Sequence, residues 1–447
     1  MKRILTIAAS DSGGGAGIQA DIKTITVLGG YGLSAITALT AQNTTGVSGV
    51  HAVPPAFVEL QLDAVLGDIG ADAAKTGMLY NAAIIKAVAR ALDTYGLPNL
   101  VVDPVMRSKS GSPLLEDSAV KVFKKLLLPR AMLITPNLDE AAVLCGCAVD
   151  TLDSMKDACR AIHELGAKNV LVKGGHLAGD CIDLLFDGST FYEFAGPRFD
   201  TKNTHGTGCT FSAAIATGLG QGMPLRDAVA RAKEYVSTAI RFSLNLGSGH
   251  GPTNHYAWTD RNAQLYTCIA ELDRALARLR DARIGRLMPE IQSNLGFALA
   301  AAATPEDVVA FPGRIIRLGD SITTVSLPRP GASRHIAKII LTAMRYNPAY
   351  RSAMALCYAP GLIDCIRSLG FTVGEFDRRE EPVNVKVIEG SSLEWGTKRA
   401  IEAAGGAVPD IIFDRGDVGK EPVTRVLGAS PADVAGKIIK IAQEYKL

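Results

Sequence analysis

Between Ile4 and Lys173, short apolar runs alternate with stretches of helical spacing, and this rhythm limits the fold more than any other feature of the chain. ILTIAA opens it, a glycine-rich turn follows, and a helix is predicted over roughly Gly17 to Leu28. SAITALT, DAAKTGM, NLVVD, AMLIT and NVLVK read as further strands, several followed by helical stretches. Strands that alternate with helices build a parallel or mostly parallel sheet covered on both faces. Ligands of such sheets gather at the carboxyl ends of the strands. The residues that follow the strands are Ser10 with Asp11, Gln42 with Asn43, Asp103, Asn137 with Glu140, and Lys173. One polar residue after a strand is ordinary loop solvation; five such places in one region mark a site.

The chain has 447 residues, too many for one core, so two domains or more are expected. Its 47 basic and 45 acidic residues nearly cancel, which argues against a nucleic-acid-binding coat. No stretch reaches the roughly 18 apolar residues of a membrane span, and MKRILTIAASDSGGG does not read as a signal peptide. The 8 cysteines form no pair of CxxC elements, so reduced thiols in a cytoplasm are expected. Cys145-Gly146-Cys147 follows an apolar helix pattern and reads as buried rather than metal-binding. After Trp258 the basic residues change type, from 9 Arg and 13 Lys to 18 Arg and 7 Lys. Residues 260–287 read as one long helix. The expected division is a first domain over 1–258, a linker helix region over 259–269, and a second domain over 270–447.

Gly13-Gly14-Gly15-Ala16-Gly17 follows a strand and opens a helix. It fits a loose dinucleotide fingerprint, but no acidic residue lies between Asp21 and Glu59 to take a ribose, and no Gly-Lys-Ser/Thr makes it a P-loop. What remains is a loop of small residues that lets a flat substrate approach the backbone, or else a tight turn with no ligand. His205-Gly206-Thr207-Gly208-Cys209-Thr210 precedes a second helical pattern. Glycines at a helix start leave several N–H groups aimed at one point, an arrangement that holds a transferring phosphoryl group. Cys209 falls in the first turn, where a thiolate is favoured, and is a candidate to accept or orient a substrate hydroxyl; the alternative is a small buried hydrophobe. Lys173 offers a point charge to phosphates, an exposed loop lysine being the alternative. Asn137, Glu140 and Asp103 offer oxygen ligands to a water-rich Mg²⁺; for Asn137 and Glu140 a helix cap and a dipole partner are the alternatives. His176 and His205 read as loop residues.

In the second half, Gly331-Ala332-Ser333-Arg334-His335 opens an apolar helix pattern and suggests another anion site. His335 is a candidate proton carrier or phosphate donor. Asp414-Arg415-Gly416-Asp417 and Glu380-Glu381 read as surface loops with ordinary ion pairs.

GIQADIKT, TALTAQNT, DPVM, ITPNLDEA, VLVKGGH and TKNTHGTGCT, in this order, resemble the hydroxymethylpyrimidine/phosphomethylpyrimidine kinases over about residues 1–258. The resemblance implies a ribokinase-like α/β/α fold and ATP-dependent phosphorylation of 4-amino-5-hydroxymethyl-2-methylpyrimidine to its mono- and then its diphosphate. It implies that Asp21, Gln42 and Val105 hold the pyrimidine, and that Cys209 takes the base position, where many relatives of this fold carry aspartate. Asn137 and Glu140 match the fold's metal-linked motif, and Lys173 matches a lysine near the phosphates, beside Gly206, Thr207 and Gly208.

PEIQSN, the PGR stretch, GASRHIA and PDIIFDRGDVGKEP resemble a ThiN-type thiamine-phosphate synthase domain over about 270–440. That resemblance implies a three-layer α/β/α fold with a mixed sheet. It also implies coupling of the pyrimidine diphosphate with a thiazole phosphate, Arg314 and His335 gripping the departing pyrophosphate. The expected partners are therefore small molecules (aminopyrimidine, ATP, thiazole phosphate), with no nucleic acid and no membrane, in a homo-oligomer. Two alternatives stand beside this: a pyridoxal-type kinase with a structural tail, and a kinase carrying a ligand-sensing module.

Overall fold

The computed structural model describes residues 1–106, 114–175, 181–382, 385 and 391–445. The chain forms two compact units, Met1–Thr259 and Asp260–Leu447.

In the first unit the strands are β1 (Arg3–Asp11), β2 (Tyr31–Gln42), β3 (Val47–Ala52), β4 (Ala73–Thr76), β5 (Leu100–Val102), β6 (Leu133–Ile134), β7 (Val170–Val172), β8 (Cys181–Phe186) and β9 (Phe191–Gly196). Among the described residues they make one sheet in the order β3-β2-β1-β4-β5-β6-β7-β8-β9. The strands from β2 to β7 pair in parallel, while β3, β8 and β9 join antiparallel at the edges. The rhythm of the sequence exposes the parallel centre. The edge strands escape it because β3 and β9 have no fully buried residue and so lack a continuous apolar run.

The helices are α1 (Gly17–Val27), α2 (Pro55–Asp68), α3 (Ala82–Tyr95), α4 (Asp117–Leu126), α5 (Leu138–Cys145), α6 (Leu152–Glu164), α7 (Thr207–Gly220) and α8 (Leu225–Arg241). Alternation along the strands divides the core into two layers. Leu5, Ile7, Ala74, Leu100, Val102 and Val170 pack with α2, α3, α4, α5 and α6. Their neighbours Ile4, Ala73, Val101, Leu133 and Leu171 pack with α1, α7 and α8. Local caps agree with this plan: Asn81 accepts from the N–H groups of Ala83 and Ile84 to start α3, and left-handed Gly96 ends it.

The expected helix over 260–287 is shorter than its pattern. α9 (Ala257–Asp281) ends before Arg283, whose φ of 51° breaks the spiral, and a 3₁₀ turn follows over Ile284–Leu287. The second unit then continues with β10 (Leu295–Ala298), β11 (Val308–Ala310), β12 (Ile315–Leu318), β13 (Ser321–Thr324), β14 (Arg329–Pro330), α10 (Arg334–Tyr346), β15 (Ser352–Cys357), α11 (Pro360–Ser368), β16 (Val373–Glu375), α12 (Ser391–Ala403), β17 (Ile411–Asp414), β18 (Val423–Gly428) and α13 (Pro431–Glu444). Its main sheet runs β14-β11-β10-β15-β18-β17-β16 among the described residues, with β12 and β13 as a separate hairpin. β16 and β17 pair in parallel and the other ladders are antiparallel, so the sheet is mixed. Met354, Ile411, Phe413 and Val426 face α9, α11 and α13. Ala353, Ile412 and Leu427 face α10 and α12. This alternation is that of a three-layer α/β/α unit.

Candidate active site

A cavity of about 720 Å³ opens in the first unit at the carboxyl ends of β1, β2, β5 and β7. Asp11, Gln42, Asp103, Val105, Asn137, Glu140, Lys173, Gly206, Thr207, Gly208 and Cys209 all line it. The sequence scatters these residues over nearly 200 positions; the parallel sheet gathers them because every parallel strand delivers its last residue to the same edge.

Two helix N-termini meet at this cavity. Neither α1 nor α7 has a side-chain cap, so their first-turn N–H groups lack the partner that Asn81 supplies to α3. Gly206 caps α7 in a left-handed conformation, with φ of 80°. A Cβ on Gly206 would fall 1.7 Å from the Gly15 carbonyl oxygen, so the two glycine loops are pressed together. Asp11 ties them. One of its oxygens accepts from Gly13 N (2.8 Å), the other from Gly15 N (3.1 Å), Ala16 N (2.8 Å) and His205 Nε2 (2.9 Å). Burial raises the cost of this charge, but His205 and the backbone donors outweigh it and hold the carboxyl below its ordinary range. His205 is thus more than a loop residue. His176 lies outside the described residues.

Lys173 Nζ sits 2.9 Å from Asp103 Oδ1, and a Cβ on Gly208 would come within 3.3 Å of that ammonium. The charge therefore faces the open start of α7. Thr135 and Ser212 also donate to Asp103. Burial works against its charged form, but Lys173 and Lys75 hold it ionised, below the usual carboxylate range. Val105 packs with Ala9, Ala38, Met78 and Leu114 and gives the cavity an apolar wall. Gln42 Nε2 approaches His205 Nε2 at 3.2 Å.

The structure places four of the expected groups as follows. Asp21 does not line the cavity: it is completely buried, accepting from Lys75 Nζ at 3.0 and 2.9 Å and from Thr6 Oγ1 at 2.6 Å. Lys75, a strand residue of β4 outside the expected site, is equally buried. Burial disfavours its charge, yet Asp21, then Cys209 and Asp103, raise it above its ordinary value. Second, Cys209 is not a ready thiolate. Burial pushes it up to about 11, against the pull of Lys75, so it is a thiol at neutral pH.

Third, Asn137 and Glu140 form a reciprocal capping box at the start of α5, with Glu140 N to Asn137 Oδ1 at 2.8 Å and Asn137 N to Glu140 Oε2 at 2.9 Å. Burial pushes Glu140 up to about 7, with Lys173 opposing. Among the described residues no three metal-ligating side chains converge. Asp103 pairs with Lys173, and all three residues line the same cavity. Fourth, Cys147 is exposed and Cys145 half-buried, their sulfurs 3.0 Å apart, because left-handed Gly146 turns the chain outward after α5.

In the second unit Arg314 follows β11 with φ of 70°, and its Nη1 donates to the Ile291 carbonyl. His335 is exposed in the first turn of α10. Arg314 lies beyond the Ala310 end of β11, whereas the chain leading to His335 leaves from the Val308 end, where Gly331 N bonds Val308 O. No hydrogen bond or ion pair among the described residues joins the two. Asp414 and Glu381, expected in surface loops, are both buried.

A family described as phosphomethylpyrimidine kinase matches residues 11–254, more than half the chain, and one described as thiamine-phosphate synthase ThiN matches 271–440. The thiamine biosynthesis bifunctional protein ThiED of Geobacter sulfurreducens is 59% identical over 253 residues, covering 56% of this chain and 52% of that one. The match therefore spans about half the length of that relative. A hydroxymethylpyrimidine/phosphomethylpyrimidine kinase of Bacillus subtilis is 50% identical over 258 residues, 57% of this chain and 95% of that one. Among solved structures, an ADP complex of Bacillus subtilis pyridoxal kinase aligns with a TM-score of 0.54 and 39% identity, over 58% of this chain and 99% of that chain. The Staphylococcus aureus pyridoxal kinase in complex with AMP-PCP and pyridoxal aligns with a TM-score of 0.54 and 37% identity, over 58% of this chain and 95% of that chain.

Proposed function

The chain belongs to the phosphomethylpyrimidine kinase family, and on that premise we propose that its first unit phosphorylates 4-amino-5-hydroxymethyl-2-methylpyrimidine to the monophosphate and then to the diphosphate with ATP. The second unit, with its ThiN match, then couples the diphosphate to a thiazole phosphate. The observation that carries the first step is the meeting of two uncapped helix N-termini with the Lys173 ammonium in one cavity. Such donors neutralise a phosphoryl group in flight, and phosphoryl transfer needs little else from a protein.

In this reading the ring lies against Val105, Met78 and Leu114, and the Gln42 amide meets its amino edge. Cys209 orients the hydroxyl. Because it is a thiol at neutral pH, it gives little base assistance, which a loose transition state tolerates. Asp103, Asn137 and Glu140 line the same cavity and would offer oxygens, through water, to the Mg²⁺ that accompanies ATP. In the second reaction a carbon–nitrogen bond to the thiazole forms as the bond to diphosphate breaks, and pyrophosphate leaves. All eight cysteines are unpaired, which agrees with a cytoplasmic enzyme; a homo-oligomer is the expected state, checked by light scattering.

The test supplies the purified chain with the alcohol, ATP, Mg²⁺ and thiazole phosphate. Thiamine phosphate and pyrophosphate should form. Accumulation of the diphosphate without coupling would leave the kinase and remove the synthase. The likeness to pyridoxal kinases motivates a second reading. Pyridoxal turning over faster than the aminopyrimidine under limiting ATP would favour it.

A further inference from the structure

Beyond the cavity of the first unit, the second unit holds a polar cluster with unbalanced demands. Asp414, the last residue of β17, is completely buried and shared by two buried arginines. Arg378 donates through Nε to Asp414 Oδ1 at 2.6 Å, and Arg425 through Nη2 to Asp414 Oδ2 at 2.8 Å. Both guanidinium groups also lie over the Phe376 ring, at 5.8 and 5.3 Å. Among the described residues, two cations against one anion leave a positive charge uncompensated in a buried place, an arrangement that a second anion stabilises.

Three residues beyond Arg378 stands the opposite case. Glu381 N bonds the Arg378 carbonyl at 3.2 Å, so one 3₁₀ turn carries both side chains. Glu381 is buried, and among the described residues neither carboxylate oxygen has a hydrogen-bond partner. Its ion-pair partner, Lys420 Nζ, is 3.6 Å away, beyond bonding range. A buried carboxylate without donors is costly unless something brings N–H groups to it. The topology adds a third observation. β16 and β17 are the parallel pair of this sheet, and Asp414 and the Arg378 turn stand at their carboxyl ends, where open sheets bind ligands.

We propose that this turn is the substrate seat of the second unit. The Arg378–Asp414–Arg425 cluster takes the phosphate end of a phosphorylated aminopyrimidine, and Glu381 takes the N–H edge of its ring. A ligand that carries an anion and an amino-heteroaromatic ring satisfies both demands at once. The assignment rests on the reading of the second unit as a thiamine-phosphate synthase.

Trp395 supplies a reporter, since its ring meets Phe376 edge-on at 6.0 Å. The chain has only 2 tryptophans, so the full-length Trp258→Phe protein emits from Trp395 alone. Inorganic pyrophosphate and the aminopyrimidine diphosphate should each change that emission saturably. Adding Arg378→Lys, which keeps the charge but loses the fork, should weaken both ligands at least ten-fold. Adding Glu381→Gln should weaken the aminopyrimidine diphosphate at least ten-fold and leave pyrophosphate unchanged, which also shows that the unit is folded. Emission that ignores both ligands, or either variant binding both ligands like the parent, overturns the assignment. So does Glu381→Gln losing pyrophosphate as well. The coupling assay is read separately: binding as described without any thiamine phosphate supports the seat and refutes the synthase reading.

Discussion

Removing the Asp21 carboxylate tests how the site is built. Asp21 and Lys75 are both 0% exposed, and the ammonium reaches both carboxylate oxygens. Asp21→Ala leaves Lys75 charged in a dry place, and Thr6 loses its acceptor. Breaking a buried pair from one side costs about 3–5 kcal/mol. At about 2–4 °C per kcal/mol for a unit of this size, the melting temperature should fall by about 6–20 °C. Adding Lys75→Met removes the stranded charge, and the double variant should recover more than half of the loss. Thermal unfolding of the three variants and the parent measures this, with KM for the aminopyrimidine read alongside. If Asp21→Ala melts like the parent while KM rises, Asp21 touches substrate and the ion-pair argument is wrong.

Cys209→Ala should lower kcat for phosphorylation while KM stays close to the parent value, and unchanged turnover would remove Cys209 from the reaction. Its thiol, pushed up to about 11 by burial, should react with iodoacetamide slowly at pH 7 and faster towards pH 11, whereas a rate already level by pH 8 would contradict that environment. Glu140 titrates at about 7 when folded, above the ordinary carboxylate value, so the folded state holds the proton longer than the unfolded chain. Stability should therefore fall as pH rises from about 5 to 7, and Glu140→Gln, which keeps the capping box, should flatten that slope in melting curves. Gly206 and Gly146 share a φ of 80°, but only at Gly206 does an added Cβ strike backbone. Gly206→Ala should abolish kinase turnover, while Gly146→Ala costs about 1–2 kcal/mol and leaves turnover intact; equal effects would refute the close approach of the two loops.

The strand–helix rhythm, the polar residues at strand ends and the glycines before α7 were legible in the sequence, because each depends on local spacing and on one rule of sheet topology. Gln42, Asp103, Val105, Lys173 and Cys209 accordingly share one cavity. What spacing could not show is which side chains face solvent and which are sealed. Asp21 and Cys209 carry polar atoms that look equally available in a string of letters, yet packing buries one in an ion pair and keeps the other protonated. Glu381 and Asp414 look like surface charges because their neighbours in sequence are charged, but Glu381 is buried beside Lys420, and Asp414 is buried between Arg378 of the turn after β16 and Arg425 of β18. Periodicity is a property of adjacent residues and survives in sequence; desolvation is set by everything packed around a group, and only the folded chain decides it.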